Sequence, residues 1–303
     1  MLFYLDEINR RMELSPDEFI ERCEKNFKDK IDSLCEKIVS EEGRILVMLA
    51  GPSSSGKTTT ASLLAEGIRK AGRSAMVISL DDFYLGKEVS FTFEDGTVDY
   101  ETVKALDLPC INVTMHALLD NGEGMLPRFN FKTGSRDGYT RVTVQEDEVI
   151  ILEGLHALNP LITEPLSDET MIKLYISVSS RIADEKGILM SKRDMRFIRR
   201  LIRDYHHRNS DAERTFYLWN GVRMGEDRYL FPFSDRADVK IDSIHPYEVC
   251  VFRKEAEILL DSVAPDSIYY NAAMLLKEKI KKFTPLNTDM IPTDSLLTEF
   301  SGK

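Results

Sequence analysis

Apolar residues recur at Ile20, Cys23, Phe27, Ile31, Leu34 and Ile38, at intervals of three and four that mark one buried helical stripe. Ahead of them, Ser15-Pro16-Asp17-Glu18 reads as a capping box with proline at the first helical position. Gly43 reads as the stop. The stripe predicts a helix packed against the side of a core, with no ligand role.

A different pattern follows. "RILVMLAG" (44–51), "SAMVISL" (74–80), "EVIILEG" (148–154) and "MIKLYISV" (171–178) are short apolar runs that read as buried parallel strands. "ADVKID" (237–242) reads as a last short strand. Between them, 58–71 predicts a helix stopped by Gly72, 101–119 a helix broken at Pro109, and Lys192 to Arg208 a strongly basic helix. "MLPRFNF" and "YTRVTV" read as strands outside the main sheet, with "KTGSRDG" as the turn between them. The last sixty residues read as two helices and an extended tail. Strands alternating with helices imply an α/β fold, a parallel sheet covered on both faces. Ligands then sit at the carboxyl ends of the strands. The expected organisation is an N-terminal helical extension (1–43), a phosphate-binding domain (44–245), and C-terminal helices and tail packed on it (246–303).

Composition narrows the partners. With 303 residues, 43% of them hydrophobic, the chain can bury a full core. A formal charge of −11 argues against a nucleic-acid or anionic-membrane surface. The four cysteines form no CxxC pair and the five histidines no ligand spacing, which speaks against a structural metal or a disulfide framework. The acidic start "MLFYLDEINRR" does not read as a signal peptide. No apolar run approaches the roughly 20 residues of a membrane helix. A cytoplasmic protein is expected; whether it forms a homo-oligomer stays open.

"GPSSSGKT", Gly51 to Thr58, fits G-x-x-x-x-G-K-[ST] without a mismatch and lies between a strand and a helix, the context this motif requires. Gly51 and Gly56 permit a loop whose N–H groups turn inward, flanked by Pro52, Ser53, Ser54 and Ser55. The helix start adds its positive dipole end. Lys57 is expected at the β- and γ-phosphates and Thr58 at Mg²⁺, with Thr59 completing the nucleotide site. No Asn-Lys-x-Asp follows, so ATP is the expected donor rather than GTP. Asp81 and Asp82 follow the second strand, and Glu153 ends the third. Carboxylates so placed can hold Mg²⁺ or take a proton from an attacking hydroxyl. Helix-capping or arginine pairing would be the purely structural alternative. In the basic helix seven Lys or Arg stand against two Asp, and Arg196, Arg199 and Arg203 share one face. A lid of arginines over transferring phosphates fits this better than a solvated helix.

Taken together, "GPSSSGKT", "SLDDFY", "VDYETVKALDL", "PRFNFKTGSR", "VIILEGLHALNP", "RDMRFIRRLIRD" and "FPFSDRADV" resemble the uridine kinase/phosphoribulokinase family. The likeness runs from about Gly43 to the C-terminus. It is closest to the uridine kinase-like branch whose members often carry TGS and threonyl-tRNA-synthetase-like domains ahead of the kinase; only some forty residues precede the region of likeness here. The resemblance implies a nucleoside-kinase-type P-loop fold with a five-stranded parallel core and a β-hairpin over the acceptor pocket. It implies Asp81 as the general base, Glu153 near Mg²⁺, Arg196 on acceptor hydroxyls, and Arg199, Arg203 and Arg208 on the phosphates. Asp82, Tyr84, Tyr100, Glu101, Phe129, Phe131 and Arg136 fall on the acceptor side. Two departures touch that side. Uridine–cytidine kinases read Asn-Phe-Asp where this chain has Asp99-Tyr100-Glu101, and their hairpin presents a tyrosine and a histidine where Phe129 and Gly134 stand here. The expected activity is ATP-dependent phosphorylation of a small hydroxylated acceptor, a nucleoside first. A non-nucleoside alcohol or sugar phosphate, and a nucleotide-binding module without transfer, stay open.

Overall fold

The computed structural model describes residues 1–86, 89, 91–92, 96, 99, 101–130, 132–167 and 171–302. Along the chain run β1 (Leu2–Tyr4), α1 (Leu5–Leu14), α2 (Pro16–Val39), β2 (Ile45–Ala50), α3 (Lys57–Lys70), β3 (Ala75–Ser79) and α4 (Leu108–His116). Then come the hairpin β4 (Glu123–Asn130) and β5 (Ser135–Thr143), β6 (Val149–Glu153), α5 (Pro160–Thr163) and β7 (Met171–Ser177). The hairpin β8 (Arg181–Asp184) and β9 (Gly187–Met190), α6 (Lys192–Arg208), α7 (Ala212–Tyr229), β10 (Val239–Asp242), α8 (Glu248–Asp261) and α9 (Tyr270–Ile280) complete the chain.

The central sheet is five-stranded and parallel, in the order β10-β7-β2-β6-β3. Every residue of β2 and β6 is buried. Because successive side chains point to opposite faces, Ile45, Val47 and Leu49 join one apolar cluster with α2, α3, α6 and α8. Leu46, Met48 and Ala50 join the other, with α4, α5 and the start of the β4–β5 hairpin. Burying each of the Ile, Val, Leu and Met side chains among these stabilises by roughly 1.5–3 kcal/mol. Two buried faces are why these strands read as unbroken apolar runs rather than as alternating ones.

All six residues of the predicted stripe are buried on α2. The cap at its start is not a box: Ser15 makes no side-chain capping bond, although Pro16 does open the helix. The box forms instead at α6, where Ser191 Oγ accepts from the Asp194 N–H at 3.1 Å and Asp194 Oδ2 accepts from the Ser191 N–H at 2.9 Å. Pro109 does not break a helix either. It lies in the first turn of α4, which Asp107 caps by accepting from the Cys110 N–H at 3.0 Å, and proline is tolerated there. The hairpin turn is shorter than its sequence suggests, since β5 already begins at Ser135.

Sequence periodicity did not mark β1, α1, the β8–β9 hairpin or α7. β1 pairs in parallel with β8, which pairs antiparallel with β9, as a small second sheet. Beyond α9 the tail folds back onto the core, and Leu296, Leu297 and Phe300 are fully buried. No helix among the described residues is long and apolar enough to cross a membrane.

Candidate functional site

Register brings three strand ends level. Leu49 on β2 and Ser79 on β3 both pair with Glu153 on β6. The loop 51–56 leaves β2, Asp81 follows β3, and Glu153 lies between them. This is the carboxyl edge where a parallel α/β sheet receives ligands.

The loop's geometry depends on its glycines. A Cβ at Gly51 would collide with the carbonyl oxygen of Ile176 on β7, and would stand 2.7 Å from Ser55 Oγ. Gly56 has φ +89° at the N-cap of α3, in the left-handed region that glycine enters freely. Ser54 also has a positive φ, +58°. Lys57 Nζ donates to the Pro52 carbonyl at 3.3 Å, folded back over its own loop. The hydroxyls of Ser54 and Ser55 are buried without a hydrogen-bond partner. Buried polar atoms are normally paired, so a polyphosphate fits this cradle. Thr58 is exposed at the helix start, and Glu153 Oε1 accepts from Ser79 Oγ at 2.9 Å. Among the described residues no cluster of three or more His, Cys, Asp or Glu could hold a metal on its own. Thr58 and Glu153 could each offer an oxygen to Mg²⁺, an ion usually bound through only one or two protein groups.

Asp81 and Asp82 occupy a short 3-10 turn, Leu80–Phe83, with separate tasks. Asp82 Oδ1 accepts from the Phe129 N–H at 3.3 Å and so ties the turn to the hairpin. Asp81 keeps solvent access on one side while protein walls the others. That crowding raises its pKa, against the opposing pull of Lys57, Arg208 and Arg203, while neighbouring Asp82 adds to the rise. Glu153 is likewise raised, first by burial, with Lys57 pulling the other way and Asp81 and Glu299 adding to the rise. Lys57, Asp81, Glu153, Arg203 and Arg208 thus share one electrostatic neighbourhood.

Glu101 belongs to it as well. Burial, then the nearby Glu226 and Asp81, push its carboxyl up to about 7, while Arg200 and Lys57 oppose the shift. Its Cβ lies against the backbone of Gly225 on α7, where any side chain would clash. Burial pushes the neighbouring His156 imidazole down to about 4, with the Glu101 main chain opposing the shift. Tyr84 and Phe129 lean together with ring centroids 5.7 Å apart. Tyr100 and Phe131, also expected here, lie outside the described residues.

The basic helix divides its arginines. Arg203 and Arg208 converge on Asp204, at 2.8 and 3.6 Å, and their charges act on Asp81. Arg199 departs from the lid expectation. It is fully buried and donates to Glu248 Oε2 at 2.7 Å, the Ser243 carbonyl at 2.8 Å and Ser243 Oγ at 3.2 Å. The Ser54 carbonyl, at 3.5 Å, is its contact with the phosphate loop. Its charge therefore supports the loop from behind. Arg196 does the same. It forms two 2.7 Å bonds to Glu226 and donates to the Ser53 carbonyl at 3.1 Å, so it is not open toward an acceptor. Arg136 is held at the hairpin by Asp107, at 3.1 Å, and by the Tyr139 hydroxyl, at 2.8 Å. Gly134, where uridine–cytidine kinases were expected to carry a polar handle, is a turn residue at φ +67°.

A profile of the Phosphoribulokinase / Uridine kinase family matches residues 46–249, from β2 to the start of α8. The chain belongs to that family. A uridine kinase of Ureaplasma parvum serovar 3 is 26% identical over 198 residues, covering 65% of this chain and 87% of that one. A protein of Arabidopsis thaliana named inorganic pyrophosphatase TTM1 is 30% identical over 285 residues, 92% of this chain but 39% of its own length. Among solved structures, a kinase assigned provisionally to a fructose transport system in Silicibacter sp. TM1040 superposes with a TM-score of 0.50. It has 19% sequence identity and covers 69% of this chain and 98% of that one, a likeness of fold. Membership makes the chain a P-loop kinase.

Within this family member, sequence reasoning missed four contributors. Glu226 of α7 accepts from the Ser53 N–H at 2.7 Å as well as from Arg196. Arg200 donates to Ser53 Oγ at 2.8 Å, its guanidinium 5.9 Å from the Trp219 ring centre. Glu248 holds Arg199, and Glu299 of the C-terminal tail accepts from both Thr59 donors, the N–H at 3.2 Å and Oγ1 at 2.8 Å. Arg200 could have been found from the density of arginines beside Arg199. The three glutamates carry no local signal, because each acts through a long-range contact.

Proposed function

We propose that the chain transfers the γ-phosphoryl group of ATP to a hydroxyl of a small acceptor, with a nucleoside as first candidate. The observation that carries the reading is an intact phosphate loop whose buried Ser54 and Ser55 hydroxyls have no partner, set beside Glu153 and the Asp81 turn at the carboxyl edge of the sheet. In this reading Asp81, whose pKa is raised, accepts the acceptor's proton as the hydroxyl oxygen attacks. Lys57, Arg203 and Arg208 compensate the charge that builds on the moving phosphoryl group. Bound Mg²⁺ would supply further charge compensation at Thr58 and Glu153. Glu101 and Tyr84 line the acceptor side, and Phe129 offers a ring face for stacking. Residues 44–245 carry the chemistry, while the extension 1–43 and the segment 246–303 support it; from the latter, Glu248 holds Arg199 behind the loop and Glu299 meets Thr59 at the start of α3.

The absence of a polar side chain at Gly134 favours a second reading, in which a non-nucleoside alcohol or sugar phosphate is the better acceptor in the same pocket. Both readings require transfer. Lys57→Ala should lower turnover by about 10²–10³, the usual effect of losing one such stabiliser. Asp81→Asn should leave ATP affinity nearly intact and depress turnover with every acceptor, and Asp82→Asn should be milder. Normal turnover in both Lys57→Ala and Asp81→Asn would overturn phosphoryl transfer and leave a nucleotide-binding module.

A further inference from the structure

The turn 296–299 is seated on the phosphate loop. Glu299 Oε2 takes both donors of Thr59, the main-chain N–H at 3.2 Å and Oγ1 at 2.8 Å. Thr59 is the third residue of α3, so its N–H has no partner inside the helix. The start of that helix favours a negative charge. Leu296 packs so closely on Gly56 that a Cβ there would lie 2.5 Å from Leu296 Cδ1. Phe300 lies beneath Arg199, 5.1 Å from guanidinium carbon to ring centre, and the Ser301 carbonyl shares a 3.0 Å hydrogen bond with His207. The tail is therefore fixed to both the loop and α6. Within the same loop the hydroxyls of Ser54 and Ser55, 2% and 0% exposed, have no partner. One internal carboxylate occupies the anion-binding end of α3 while buried hydroxyls a few residues away wait for an acceptor.

We propose that Glu299 is an internal anion which a nucleoside triphosphate must displace from Thr59, so that this tail residue sets nucleotide affinity. The inference rests on the reading of the loop as a nucleotide site. Two anions cannot share the same pair of donors, and their like charges repel at contact distance. Rotation of the Glu299 side chain suffices for release, because Leu296, Leu297 and Phe300 anchor the turn independently. A carboxylate that only capped the helix would behave differently: its removal would loosen α3 and leave nucleotide binding unchanged or weaker.

The test is calorimetric titration of the full chain with MgATP and MgADP, for the wild type, Glu299→Gln, Lys57→Ala and the double variant. Thermal melting without nucleotide establishes that each is folded. Glutamine keeps the size and one acceptor oxygen and removes the charge, so the turn should stay in place. Glu299→Gln should bind MgATP about tenfold more tightly or better, the scale of a hydrogen bond to a charged group. Lys57→Ala should weaken binding in both backgrounds. Unchanged or weaker binding by Glu299→Gln, with Lys57→Ala still damaging, overturns the displacement proposal and leaves the nucleotide site standing. If Lys57→Ala has no effect in either background, the reading of the loop itself fails, and the proposal with it.

Discussion

Glu226 holds Arg196 through two 2.7 Å bonds while its Oε1 also accepts from the Ser53 N–H at 2.7 Å. Both side chains are buried, 0% and 3% exposed. The pair joins α6 and α7 to the phosphate loop. Glu226→Gln leaves the guanidinium uncompensated, and breaking such a buried pair typically costs about 3–5 kcal/mol. Denaturant unfolding should show that loss, and the double change Arg196→Met, Glu226→Leu should recover much of it. A loss below about 1 kcal/mol in the single variant would mean that the pair does not hold the loop.

Arg199 and Arg203, one helical turn apart, should fail in different ways. Arg199→Ala strands Glu248 in the core, so it should destabilise by about 3–5 kcal/mol and alter turnover mainly through the loop. Arg203 has its guanidinium near Asp81 and Asp204, so Arg203→Ala should leave stability within about 1 kcal/mol and depress kcat. Melting curves and steady-state kinetics on the same preparations separate the two. Equal kinetic losses with unchanged melting would restore Arg199 to the phosphate side.

These contrasts show where sequence was informative. The strands were legible because both sheet faces are apolar, so burial wrote itself into "ILVMLA" and "VIILE" as continuous runs. The loop was legible because Gly51 and Gly56 answer local steric demands. The division of labour along α6 was not legible. Arg196, Arg199 and Arg203 share a helix face, but what each meets depends on Glu226, Glu248 and Asp204, two of them on elements far along the chain. α7 was missed because Gly221 and Gly225 interrupt a pattern that tertiary packing sustains: Gly225 is where Glu101 presses in. Glu299 was invisible for the same reason, since its partner Thr59 lies 240 residues away.

Glu101 and His156 should give opposing pH dependences of stability. Glu101 is raised from 4.5 to about 7, so the folded state binds its proton more tightly and stability falls as pH rises through that window, levelling above it. His156 is lowered from 6.5 to about 4, so the unfolded state binds its proton more tightly and stability rises with pH between those values. The two slopes partly cancel near pH 5–6. Glu101→Gln should unmask the rising limb and, at pH 8, exceed the wild type by about 1–3 kcal/mol. His156→Asn should unmask the falling limb. Denaturant unfolding between pH 4.5 and 8 measures both. Parallel profiles for Glu101→Gln and the wild type would mean that Glu101 is ionised like an ordinary surface carboxylate.

The acceptor pocket makes the remaining claim. A site that hydrogen-bonds a polar edge rejects analogues by about 10⁴–10⁵, whereas an apolar pocket discriminates far less. Phe129 can present a ring face, Gly134 has no side chain, and Arg136 is engaged by Asp107 and Tyr139. No side chain among these three is free to read a pyrimidine edge. Uridine and cytidine should therefore be used weakly and with less than about tenfold discrimination, and a non-nucleoside alcohol should compete well. The measurement is kcat/KM for uridine, cytidine, adenosine and a panel of alcohols and sugar phosphates at saturating MgATP. Introducing a donor by Gly134→His would strain the turn at φ +67°, so Phe129→Tyr is the better probe: it adds a hydroxyl at the ring edge and should raise pyrimidine use selectively. A strong native preference for uridine, unchanged in Phe129→Tyr, would place base recognition on groups other than this hairpin.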